Sequence, residues 1–294
     1  MDKAYLPEWG LFPVEQYLIR YWDPSLSEPA DSQRLRLIHE FLELDEIPIE
    51  WDPTLRGSSY AEPSRIPTVD EINIILRPWR SDKLRKIAWR IWGYGSSHLI
   101  LLRTHYNRDD NYKIEELVGS DELDDDRAWW ALLNDQEFDF GDQWWLVFNI
   151  LPELAGPLQS YSRLPSQELI ARDRQHLKNK LPRLKATEET KRTRCIEIET
   201  AYFRRTISQG YFAIADREAF EKDMLRLIYL DGKRNIVQET RADFDEDTLA
   251  EVAVEWEELA LPLKLWENGI IGEKYRIDGE IGRVLYQLEE AHLD

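Results

Sequence analysis

Residues 216–232 read DREAFEKDMLRLIYLDG, and the fold class turns on how they are taken. Phe220, Met224, Leu227 and Ile228 recur at helical spacing, which predicts a helix that opens near Asp216 and closes at Asp231-Gly232. Downstream, Leu249, Val252, Ala253, Trp256, Leu259 and Ala260 share a face between the acids Asp243, Asp245 and Asp247 and the stop at Pro262, a second C-terminal helix. Working back toward the N-terminus, the same period persists. Val14, Tyr17, Leu18, Tyr21 and Trp22 line one helical face. Asp31 is placed to cap a helix carrying Leu35, Ile38 and Leu42, widened by Leu37, Phe41 and Leu44. Thr68 and Glu71 have the spacing of a capping box. Leu84, Ile87, Ala88 and Ile91 predict a helix from Ser81 to about Gly93, and the acids Asp121 to Asp126 lead into one carrying Trp129, Trp130, Leu132 and Leu133.

Two segments read as β. His98 to Thr104, HLILLRT, is an apolar run too brief for an independent helix and bounded by breakers, so it is expected to be a buried strand. Asp278-Gly279 lies between Lys274–Ile277 and Glu280–Leu285, the signal of a two-residue hairpin. Residues 144–151 and 195–202 satisfy both periods. The expectation is a mainly α protein with minor β content (α+β), helical and two-part, with one buried short strand and a C-terminal hairpin. Pro152, Gly156, Pro157 and Pro165 mark the boundary between a Trp-rich, acidic part, 1–155, and a helical part, 160–294, whose first helices are basic.

The 294 residues carry 57 acids against 38 bases, a net charge of −19, which disfavours a general coat for nucleic acid. The charge is sorted along the chain. Residues 116–154 net −10 and 211–294 net −11, whereas 81–115 net +3 and 155–210 net +6. In the basic stretches Arg77, Arg80, Lys83, Arg85, Lys86 and Arg90 alternate with Trp79, Trp89 and Trp92, and a second series includes Arg172, Arg174 and Lys178. Cations beside aromatic rings are what single-stranded nucleic acid needs, since the cations track phosphates while the rings stack on bases. The simpler reading is that both series are solvated helix faces balancing the acidic segments.

A single cysteine, Cys195, cannot close an internal disulfide or supply a CxxC zinc site, and the first residues hold no signal-like apolar stretch. No window reaches membrane-spanning length. A reducing cytoplasm, with no membrane association, is the expected setting. The five histidines include no i, i+4 pair, and GxSxG and GxxxxGK[ST] are both missing, so no cofactor, metal or catalytic set is expected. The acids at 121–126 and 243–247 fit helix starts better than cation loops. Glu273, Lys274, Asp278 and Glu280 are the one grouping that would suit a cryptic metal-dependent nuclease.

Twelve tryptophans, ten of them before residue 146, are the unusual feature. Neighbours in a chain point different ways, so the pairs Trp129-Trp130 and Trp144-Trp145 are each expected to leave a ring near the surface, where indoles anchor interfaces. The leading expectation is a non-catalytic subunit, adaptor or inhibitor within a cytoplasmic complex. It would bind a basic protein partner through Trp129, Trp130, Trp144 and Trp145. A nucleic-acid-associated accessory subunit and the nuclease are the alternatives.

Overall fold

A computed structural model describes residues 6–51, 65–94, 99–118, 130–155, 207–258, 269–276 and 279–285, with positions 168, 171, 172, 175, 179, 204 and 266. The chain forms two compact units that alternate along the sequence, 1–96 with 143–164, and 97–142 with 165–294.

The first unit is helical. Pro13 at the first turn pre-sets the backbone of α1 (Pro13–Tyr21), as its fixed φ and missing N–H suit that position. Val14, Tyr17 and Leu18 are buried as the period predicts, but so are Glu15 and Gln16 behind them. This helix is enclosed nearly all round, and its polar side chains are consumed internally. Gln16 Nε2 donates to the carbonyls of Gly10 (2.5 Å) and Arg65 (2.8 Å), and its Oε1 accepts from Arg65 N–H. The next helix, α2 (Ala30–Leu42), buries Leu37, Ile38, Phe41 and Leu42. Its N-cap is Pro29, not Asp31, which pairs instead with Arg34 one turn on.

The capping box at Thr68 forms in both directions: Glu71 N–H donates to Thr68 Oγ1 (3.3 Å), and Thr68 N–H to Glu71 Oε2 (2.8 Å). The turn it starts, Val69–Glu71, widens into a π-helical turn at Ile72–Leu76. Such a turn leaves carbonyls without their usual donors. Buried Arg34 supplies them, from Nε to Ile75 O (2.8 Å) and from Nη2 to Ile74 O (3.1 Å). The helix read from Ser81 is α3 (Asp82–Tyr94), with Ser81 Oγ accepting from Leu84 N–H. Residues 144–151, which the periods left open, are a 3-10 turn, Trp144–Leu146, followed by a short helix, Val147–Ile150.

The second unit overturns the expected fold class. It contains a mixed six-stranded sheet, where one short strand and a terminal hairpin were expected. In chain order the unit runs β1 (Leu99–Arg103), α4 (Asn111–Val118), β2 (Trp130–Leu133), β3 (Gly210–Ala215), α5 (Arg217–Lys222), β4 (Met224–Leu230), β5 (Ile236–Asp243), α6 (Glu246–Glu258), β6 (Ile270–Ile271) and α7 (Glu280–Leu285). The strand order is β2-β1-β3-β4-β5-β6; β1 lies parallel to β2 and β3, and the remaining pairs are antiparallel. One face is built on Leu99, Leu101, Tyr211, Ala213, Leu225, Leu227 and Tyr229, covered by Ile114 and Leu117 of α4, Phe220 of α5 and Leu249 and Val252 of α6. On the other face Ile100, Leu102, Phe212, Ile214 and Ile228 are also buried.

Three sequence expectations fail here for separable reasons. The helix of 216–232 stops at Lys222, because Asp223 adopts a left-handed conformation (φ 54°) and the chain turns straight into β4. A spacing of four residues fits a helical turn and two strand repeats alike, so Met224 and Ile228 could not distinguish them. Trp130 and Leu132–Leu133 are not helical but form β2, the parallel edge partner of β1. Glu273–Tyr275 and Glu280–Leu285 are a 3-10 turn and a helix, not the strands of a hairpin. Their glycines serve close approach: a Cβ at Gly282 would sit 1.7 Å from Arg276 O, and one at Gly279 2.4 Å from Glu273 O. A tight β connection of this unit is instead Asp231–Asn235, with Arg234 left-handed (φ 64°) and Asp231 accepting from Lys233 N–H and Asn235 N–H.

Candidate functional site

Of the four tryptophans expected at an interface, Trp130 is 2% exposed and donates its Nε1–H to Leu249 O, and Trp144 is buried against Phe148. Trp145 is 51% exposed, with its ring edge-on to Trp144. Trp129 lies outside the described residues.

The basic series of the first unit divides. Arg77 is exposed and donates to Asn73 Oδ1, Lys83 is exposed, and Lys86 and Arg90 are half-buried. Arg80 and Arg85 are sealed inside in a four-charge cluster. Arg80 Nη1 reaches both oxygens of Glu153 (2.7 and 2.8 Å), and Arg85 Nε reaches Glu15 Oε1 (3.0 Å). Glu15 also faces Arg80 Nη2 at 3.4 Å and accepts from Gly10 N–H at 2.7 Å. Trp79 (4.0 Å) and Phe12 (5.0 Å) flank the Arg80 guanidinium, and Trp9 (3.7 Å) covers that of Arg85. Burial pushes the Glu153 carboxyl above the ordinary range, against the pull of Arg80. Here the mixture of bases and aromatics is interior architecture, with rings facing guanidiniums. Arg172 is exposed; Arg174 and Lys178 lie outside the described residues.

Glu273 and Lys274 are exposed on their 3-10 turn, Lys274 pairs loosely with Glu280 (3.9 Å), and Asp278 lies outside the described residues. Asp245 Oδ1 accepts from Thr248 N–H at the start of α6, the helix-start role read from sequence. Among the described residues no group of three or more His, Cys, Asp or Glu side chains could hold a metal ion. No helix among them is long and apolar enough to cross a membrane.

What the first unit does present is a shallow, largely open groove along the outer face of α2, lined by Ser32, Leu35, Arg36, His39, Glu40, Glu43 and Leu44. Leu35 has the spacing of a core residue yet is 40% exposed, because the face that turns inward is that of Leu37, Ile38 and Phe41. The walls are acidic. Arg36 stands between two carboxylates, Glu28 (3.0 Å) and Glu40 (2.7 Å), and is outnumbered by them on this side of the helix. The turn that carries Trp145 is tied to the same helix: Asn149, four residues on, hydrogen-bonds His39 Nε2 at 2.9 Å and accepts from Trp79 Nε1 through its carbonyl at 2.9 Å. Spacing alone places Leu35 in the core; the one available signal is the surplus of apolar positions between Leu35 and Leu44, six where one inward stripe holds about four.

Compared with protein-family models, curated proteins and solved structures, the chain matches none.

Proposed function

We propose that this chain is a non-catalytic binding protein that docks a basic, amphipathic helical segment of a partner in the groove on α2. The observation that carries the reading is the chemistry of this face: Leu35 and Leu44 lie among the carboxylates of Glu40 and Glu43, on the helix that His39 ties to Asn149, four residues after the exposed Trp145. A helix laid in a groove uses apolar anchors one turn apart, and cations on its flanks would face the acidic rim. The exposed apolar residues of the unit are consistent with docking. Tyr21, Leu26, Leu35, Ile49, Ile66, Val69, Ile74 and Trp145, all in this unit, are large apolar residues left open to solvent. A nucleic-acid role would need the basic series as a surface, and its two central cations are spent on Glu15 and Glu153.

The test uses a labelled helical peptide with a leucine face and lysine flanks, and a control with the same leucines and glutamate flanks. Fluorescence anisotropy is expected to show binding of the basic peptide alone, weakened as salt shortens electrostatic range below about 8 Å. Replacing Leu35 by Asp should abolish it. Trp145→Ala, if this ring is an interface anchor, should weaken it by roughly 30-fold, the equivalent of about 2 kcal/mol. Equal binding by the Leu35→Asp variant would reduce the interaction to attraction by net charge and defeat the proposal.

A further inference from the structure

The second unit holds a feature unrelated to the groove. Strand order β2-β1-β3 places the two parallel neighbours of β1 on opposite sides, so the chain goes from β1 to the strand on one side of it and then returns to the strand on its other side. In open α/β sheets, ligands bind outside the carboxyl ends of parallel strands at such a point. Arg103, the last residue of β1, stands there and is 3% exposed.

Its guanidinium is sequestered by neutral groups. Nε donates to His105 O (2.9 Å), Nη2 to Asn111 Oδ1 (2.9 Å) and Asn107 O (3.3 Å), and Nη1 to Asn134 Oδ1 at the long distance of 3.5 Å. The rings of Tyr106 (4.6 Å) and Phe220 (5.2 Å) lie against it. Asp110 and Asp139 exert a pull from beyond ion-pair range, and among the described residues no carboxylate touches the charge. A buried cation is ordinarily paired, and burial lowers its hold on the proton here. The polar groups around it are donors in waiting. Asn111 and Asn134, whose oxygens face the arginine, retain their amide hydrogens, and the Tyr106 hydroxyl is buried without a hydrogen-bond partner among the described residues. Burial keeps that phenol neutral, hence a donor. The weakest contact, Nη1 to Asn134, is to the side chain of an exposed residue, which makes it the contact most easily opened.

We infer that the carboxyl rim of β1 and β2 binds an oxyanion, a phosphate or carboxylate group of a small molecule, which displaces Asn134 from Arg103 Nη1 and supplies the missing negative charge. The site is independent of the α2 groove and stands or falls separately from it.

The experiment is a titration of the full chain with inorganic phosphate followed by the ³¹P linewidth, with acetate as the second arm followed by calorimetry. Wild type is expected to bind one of the two in the millimolar range, phosphate identifying a phosphoryl ligand and acetate a carboxylate. Asn134→Asp places a carboxylate where the ligand belongs, so binding should fall at least tenfold while the melting temperature holds or rises. Tyr106→Phe removes only a hydroxyl and should weaken binding several-fold with an unchanged fold, which keeps the test available if the first variant fails to fold. Absence of binding by both anions in wild type, or binding undiminished in a folded Asn134→Asp or Tyr106→Phe variant, would show that Arg103 is only a brace for the loops after β1.

Discussion

Glu153 shows most clearly how residue chemistry shapes this molecule. Its carboxylate meets Arg80 in an environment closed to water, where removing one partner strands the other charge. Glu153→Gln is therefore expected to cost about 3–5 kcal/mol in urea unfolding, whereas the paired change Arg80→Met with Glu153→Leu should cost far less or nothing. A double variant as unstable as the single would mean that packing at these positions, not charge, sets the cost. Glu71 behaves in the opposite sense. Partial burial pushes its carboxyl up, but the hydrogen bonds from Thr68 N–H and from the side chains of Arg65 and Thr68 outweigh this and hold it below the ordinary range. A carboxylate with a depressed folded pKa contributes stability that is present above its unfolded pKa and is lost as pH falls through the folded one. The gap in melting temperature between wild type and Glu71→Gln should accordingly be widest near neutrality and close through the acid range; a gap independent of pH would place the effect outside this titration.

At the scale of elements, backbone conformation decided what periodicity could not. Asp223, left-handed after Lys222, ends α5 and lets β4 begin at once; nothing in the spacing of Phe220, Met224 and Ile228 announces it. Glycine positions give the sharpest checks. Gly282→Ala would drive a methyl into Arg276 O and should destabilise by about 3 kcal/mol, near the upper end for point changes. Gly141 has φ +55° but open space around its Cβ, so Gly141→Ala should cost only about 1–2 kcal/mol, the left-handed penalty. Equal costs at the two would mean that contact at Gly282 relaxes freely. The helices α1, α2, α3 and α6 and the strand β1 were legible because an apolar stripe, a cap or flanking breakers stand in the sequence itself. Of the sheet, β2 is four residues with no alternation to read, and β5 is polar because Glu239 and Arg241 are matched by Arg226 and Asp216, partners 13 and 25 residues away on other elements. The fate of the basic series was hidden for the same reason: Arg80 and Arg85 find their carboxylates 73 and 70 residues away. Leu35 was visible as an apolar residue and invisible as an exposed one.

Over the whole molecule, the net charge of −19 and the apolar residues left open in the first unit act together. Long-range attraction would bring a basic partner near, and the α2 groove would select an amphipathic one. Raising salt should then slow association with little change in dissociation, since screening acts on encounter while the apolar residues act after contact. Stopped-flow traces with the lysine-flanked peptide check this, and a salt effect confined to dissociation would contradict it. The most direct measurement of the docking claim is amide hydrogen exchange of the full chain with and without that peptide. New protection across residues 32–44 and at 145–149, lost in the Leu35→Asp variant, is the result this account predicts; protection elsewhere, with residues 32–44 unchanged, would contradict it.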